Sequence, residues 1–242
     1  MQISNPIEFL GNVVRGFLNY FFNILLSFPG VILAVTIHGF AQALAATALG
    51  DKGPKAQKKL TFDPLTHTEP IGFLTMLLTW NGWAAPVSVN MRGKKLPHLK
   101  RILAILAGPL ANILFAFFGI VALIPFSLPQ VKAFFASSII LTWIYENVLT
   151  ALISTFCIIN VNMAVFNLIP LPPLDGFRMV SVFIPRHAYK RTMRYQKYFQ
   201  LAFMIILLID RYFLAYIYDA FLMVASFVLN DCFAGLINFI FF

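Results

Sequence analysis

Long apolar runs make up most of the chain, and only a few breaks interrupt them. The runs predict membrane spans at roughly 9–28, 30–49, 100–124, 138–168 and 199–222. Each is near the about 20 residues a helix needs to cross a hydrocarbon core of about 30 Å. Pro29-Gly30 reads as a turn between the first two. The fourth run is long and is expected to unwind before Pro170. The stretch 199–242 reads as one span plus an interfacial helix or as two short spans, with Asp210-Arg211 at the break. One segment departs from this pattern. Residues 53–97 are moderately polar and carry five prolines. Short alternations there, Lys59-Leu60-Thr61-Phe62 and Pro86-Val87-Ser88-Val89, read as strands. They predict a small β-rich insertion at the cytoplasmic mouth, with 71–80 as a re-entrant or shallow apolar piece. No internal repeat divides the chain. Residues 1–242 therefore read as a single membrane domain, an all-α polytopic protein of about five to six spans with that insertion.

Composition supports the bilayer. Hydrophobic residues make up 60% and charged residues 11%, against about 25% charged in a soluble domain. Mean hydropathy is +0.82. The net charge of +9 could suggest nucleic acid, but its distribution excludes that class. Fifteen of the eighteen Lys and Arg lie in 52–59, 92–101 and 178–197. Lipid headgroups and the positive-inside rule account for such clusters. All three fall on one side of the predicted topology. The expected protein is thus a multi-pass protein of a bacterial inner membrane, with its N-terminus and basic loops cytoplasmic. No cleavable leader is read. The first apolar run follows Glu8, contains Arg15 and has no small-residue cleavage site. Cys157 and Cys232 sit in apolar runs, so neither a disulfide framework nor a paired thiolate site is expected.

Two stretches carry candidate chemistry. In His38-Gly-Phe-Ala-Gln42, the frame is that of H-E-x-x-H, which places two His ligands and a general-base Glu on one helix face. Here Gly39 and Gln42 stand at two of the three chemical positions. A lone membrane His can hydrogen-bond a neighbouring helix or mark a site, and a Gln amide is a poor zinc ligand beside imidazole or thiolate. The second stretch is Asn167-Leu-Ile-Pro-Leu-Pro-Pro-Leu-Asp-Gly176. Three prolines within four residues forbid regular helix and hold Asp175 at the end of a span. Asp175 can be a turn former or an acidic metal ligand.

Together the two stretches resemble the site-2 protease family of intramembrane zinc metalloproteases. In that family, H-E-x-x-H gives two ligands and the base, and N-x-x-P-x-P-P-L-D-G gives the third ligand. Three further landmarks are similar to the family's: Leu60-Thr-Phe-Asp-Pro-Leu-Thr-His-Thr-Glu-Pro-Ile-Gly72, Gly82-Trp-Ala-Ala-Pro-Val87 and Leu106-Ala-Gly-Pro-Leu-Ala-Asn112. The resemblance implies a vestigial metal set of His38, Gln42 and Asp175, with Gly39 at the general-base position and no catalytic residue assigned. It implies a substrate or partner groove involving Pro86, Val87, Asn90, Asn112, Asn167, Pro170, Pro172 and Pro173. His67, Glu69 and His98 are not expected to complete the site, since the family has a His and an acid at the first two positions beside its own ligands.

These departures favour an inactive homologue that serves as a scaffold, assembly or binding subunit. Its expected partners are other membrane proteins in a hetero-oligomer, and lipid. No cofactor is expected. An active protease, or an inactivated form of one, is the alternative, and it would use zinc. A transport or channel component is the third reading.

Overall fold

The structure, a computed structural model, describes residues 6–91, 93 and 95–209. One compact unit runs through Met204, and a second begins at Ile205. Helix α1, Pro6–Ala48, is 43 residues long and continuous through Pro29. The turn expected at Pro29-Gly30 does not form, and spans 9–28 and 30–49 are one helix. An ideal Cβ on Gly30 would lie 3.4 Å from the Phe156 Cα, so Gly30 marks a close helix approach rather than a reversal. Such small-residue contacts hold membrane helices together, and packed neighbours make an internal Pro tolerable.

Among the described residues, three helical stretches are long and apolar enough to cross a membrane: Leu10–Ala48, Pro97–Ser127 and Ile139–Asn167. That is fewer than the five or six expected. One is lost to the fusion in α1. The last predicted span begins within a helix described as far as Ile209, and the rest of 199–242 lies outside the described residues.

The 53–97 segment holds α2 (Gly53–Ala56), α3 (Pro64–His67) and α4 (Pro70–Thr79). Each begins with proline in its first turn, where the missing N–H costs nothing. Asp63 and Glu69 cap α3 and α4 with their side chains. The expected β-rich insertion is absent, and no strand occurs among the described residues. The alternation in 86–91 is nevertheless real: Val87 and Met91 are buried, while Pro86, Ser88 and Asn90 are exposed. What is missing is a second strand. Backbone partners of this strap come from side chains and a turn. Asn167 Nδ2 donates to the Gly82 carbonyl at 3.0 Å, the Ala85 N–H to the His67 carbonyl at 2.8 Å, and the Asn90 N–H to Asp51 Oδ2 at 2.7 Å.

Helix α5 is Pro97–Ser127. The chain then passes through α6 (Pro129–Phe135), α7 (Ile139–Ile144), a π-helical turn (Tyr145–Leu149) and α8 (Thr150–Asn167). As expected, helix ends before Pro170. Short α9 (Asp175–Val180) follows, then basic α10 (Arg186–Arg194) and α11 (Gln196–Ile209). Helices α1, α5 and α8 pack against one another. A buried cluster of Val31, Ala34, Val35, Met76, Ile159 and Met163 joins α1, α4 and α8.

The strap gives the first prediction. Asn167→Ala removes the amide that binds Gly82, leaving a buried carbonyl unpaired at a cost of about 1–3 kcal/mol. Hydrogen exchange should accelerate across 82–91, while amides of α5 stay protected. Unchanged exchange in the strap would show that Asn167 does not hold it.

Candidate functional site

His38 lies in the buried half of α1, 2% exposed. Its ring rests on α5 at Gly108, where an ideal Cβ would come within 2.6 Å of Nε2. Only a glycine leaves room for the imidazole there. Nδ1 lies 2.7 Å from Asn112 Oδ1. The Asn112 amide nitrogen donates to Ala34 O at 3.2 Å and to Asn160 Oδ1 at 2.8 Å. That leaves Oδ1 to accept, so His38 donates from Nδ1 and turns Nε2 toward Asp175. Asn112, expected at the groove, is fully buried behind His38 and orients it.

The prolines that end α8 carry the chain back so that Asp175 opens α9 beside α1. His38, Gln42 and Asp175 converge as the sequence implied. Asp175 Oδ2 is 2.7 Å from His38 Nε2 and 2.6 Å from Gln42 Nε2. The other oxygen, Oδ1, accepts from Arg178 Nη1 at 2.5 Å. Arg178 was not foreseen, although its place three residues after Asp175 at a helix start is a recognisable pairing position. It is 8% exposed. Its Nη1 also donates to Gln42 Oε1 at 3.2 Å, and its Nη2 donates to the Val87 carbonyl of the strap. Burial alone would raise the Asp175 carboxyl, but Arg178 and His38 outweigh it and hold it below the usual carboxylate range.

These contacts decide how Gln42 faces. Its Nε2 donates to the Ile105 carbonyl at 3.0 Å and to Asp175, and its Oε1 accepts from Arg178. A flipped amide would set oxygen against two acceptors and NH2 against a guanidinium. The site therefore presents a donor, not a ligating oxygen, toward His38 and Asp175. Zinc does not fit this set: one carboxylate oxygen is paired with a fixed cation, and the amide turns its NH2 inward. Among the described residues no group of three or more His, Cys, Asp and Glu could hold a metal ion.

A small cleft opens on this cluster, lined by His38, Gln42, Pro86, Asn167, Asp175 and Arg178 among others. Pro86, Asn167 and Pro173 of the expected groove line it. Val87 is fully buried, and Asn90, Pro170 and Pro172 do not line the cleft. Glu69 is engaged elsewhere: it accepts from the Gly72 N–H at 2.6 Å and from Trp83 Nε1 at 2.9 Å. His98 stacks on Phe183. His67 is fully buried beside Gly39, and burial pushes its imidazole below the ordinary value.

Residues 30–209 match the family model of peptidase family M50. The chain is 31% identical over 179 residues to "Putative zinc metalloprotease YwhC" of Bacillus subtilis (strain 168), covering 73% of this chain and 77% of that protein. It is 26% identical to "Putative zinc metalloprotease Rip2" of Mycolicibacterium smegmatis, over 66% of this chain and 58% of the relative. For the protein of the same name in Mycobacterium tuberculosis (strain ATCC 25618 / H37Rv) the values are 24%, 74% and 64%. The chain thus spans less than two thirds of both mycobacterial relatives. No solved structure matches it significantly.

Breaking the buried pair from one side should be expensive. Arg178→Met leaves Asp175 uncompensated and should destabilise the protein by about 3–5 kcal/mol. Adding Asp175→Asn should recover much of that loss. Thermal unfolding in detergent measures both, and strict additivity would show that the two groups do not act as a pair.

Proposed function

The chain belongs to peptidase family M50, the site-2 protease family, and we propose that it is a non-catalytic member that binds another membrane protein without cleaving it. The observation that carries this reading is the orientation of Gln42 with Arg178 on Asp175. The chain's own guanidinium supplies the counter-charge to Asp175, where a hydrolase of this family would use a metal. Gly39 offers no side chain to accept a proton, and loss of a general base alone is worth about 10²–10⁴ in rate.

The binding role rests on the cleft. Pro86, Asn167 and Pro173 line it together with the polar cluster. The strap beside it is held extended by partners other than a second strand. Binding of an extended segment through main-chain hydrogen bonds needs no metal. The occupant is a segment of another membrane protein, held in a hetero-oligomer with lipid around the bundle. In this reading the basic stretches 52–59, 92–101 and 178–197 face the cytoplasm of an inner membrane, and their shared sign supports it.

Zinc content tests the reading first. The purified chain should carry far less than one zinc per molecule, and Gln42→His should raise it. Zinc near one per chain, lost on His38→Ala, would favour the active metalloprotease suggested by the names of its relatives. A cysteine placed at exposed Lys55 or Lys190 should resist a membrane-impermeant thiol reagent added from outside the cell. Ready labelling at either position would reverse the topology.

A further inference from the structure

We infer that the N-terminal half of α1 carries a docking seam for a second copy of this chain. Asn12, Gly16, Asn19 and Asn23 are spaced four, three and four residues apart. At about 100° per residue that spacing lays them on one line within about 60° of arc, the spacing of the seam of a left-handed helix pair. Gly30 continues the same line one heptad after Asn23. There the seam is in use: α8 closes on α1, and an ideal Cβ on Gly30 would stand 3.4 Å from the Phe156 Cα. At Gly16, two heptads earlier, an ideal Cβ would meet nothing within 4 Å. One packing line is thus filled by α8 at Gly30 and open from Asn23 to Asn12.

The open part is not built as a lipid-facing surface. Leu10, Val14, Phe17, Leu18, Phe21 and Leu25 are exposed around the rest of the helix, as lipid contact asks. The seam instead exposes three amides, and no hydrogen bond joins Asn12, Asn19 or Asn23 to another described residue. A glycine inside a helix costs about 1 kcal/mol against alanine. Close helix approach offsets that cost at Gly30, and no contact among the described residues offsets it at Gly16. The flanks of the helix are tied to the bundle: Tyr20 donates to the Leu78 carbonyl at 2.8 Å, and Phe22 meets Trp143 with ring centroids 6.2 Å apart. These ties hold the seam facing outward.

A second copy satisfies this line with the groups it already carries. An amide is both donor and acceptor, so across a parallel two-fold axis each seam asparagine meets its own counterpart and both give and take a hydrogen bond. Gly16 lets the two backbones approach, as small residues do between membrane helices. Arg15 is the one charged residue in 10–28, and the helix turn puts it on the flank of the line. Like charges are therefore not opposed in the contact, and a partner chosen by charge would have little to recognise. The seam lies apart from the cluster of His38 and Asp175, so pairing is independent of whether the chain cleaves.

Dilution of the full chain in liposomes tests the pairing. The fluorophore-tagged parent should pass from dimer to monomer, read by energy transfer, as lipid is added. Gly16→Leu with Asn19→Leu keeps the surface apolar, and should raise the dissociation constant at least about tenfold by removing a close approach and a hydrogen-bonded pair. If that variant fails to accumulate, Asn23→Leu alone should weaken the dimer in the same direction. Disulfide trapping places the contact. In a Cys232→Ser background, Asn19→Cys should cross-link to a second copy on oxidation far faster than Phe21→Cys on the opposite face. A parent that is monomeric at every protein-to-lipid ratio, dimerisation unchanged by the leucine variants, or equal trapping at positions 19 and 21 would each overturn the seam. Trapping of Asn19→Cys on a different protein in native membranes would overturn the second copy as its occupant.

Discussion

The Asp175 carboxylate is the point on which the membrane core depends. An ionised carboxylate buried without partners would be prohibitively costly. Here one oxygen accepts from Arg178, and the other accepts from Gln42 and lies 2.7 Å from His38 Nε2. Each partner comes from a known place: Arg178 from the same short helix, His38 and Gln42 from α1. Their remaining polar atoms lead outward to α5 through Ile105 and Asn112, to α8 through Asn160, and to the strap through Val87. One buried charge thereby fixes the relative placement of α1, α5, α8 and α9. A network this closely joined specifies one arrangement, because a shift of any member strands a polar group in an apolar surround.

Glycine makes that proximity possible. His38 rests on Gly108, His67 on Gly39, and α8 approaches α1 at Gly30. In each case the absent side chain admits either a ring or a helix backbone. Van der Waals packing through small residues is a principal source of helix association in lipid, where apolar burial between helices gains little. The polar cluster and the small-residue contacts are therefore complementary parts of one bundle.

Much of the site was legible in the sequence, because the His38, Asn112, Asn167 and Asp175 motifs are local spellings whose order carries the family's geometry. Convergence of His38, Gln42 and Asp175 followed from it. Arg178 was missed because its charge was read with the basic cluster of 178–197 rather than with Asp175. The inward-facing Val87 was missed because its alternation was read as a paired strand. Alternation reports which side chains are buried, not which backbone groups are paired, and here Asn167, Asp51 and Arg178 stand where a neighbouring strand would be. Pro29-Gly30 misled for a similar reason. The pair is a turn signal where water can solvate the freed carbonyl, whereas in α1 it lies where α8 closes on the helix.

The Arg178–Asp175 pair also changes what the fold's stability answers to. A centre neutralised by a captured ion gains stability by mass action, and loses it when free ion falls below the dissociation constant. A counter-charge three residues along the same backbone has no free concentration and cannot be chelated away. On the non-catalytic reading proposed above, the polar heart of this bundle is therefore unimolecular: it forms on folding and is indifferent to metal supply in the surrounding compartment.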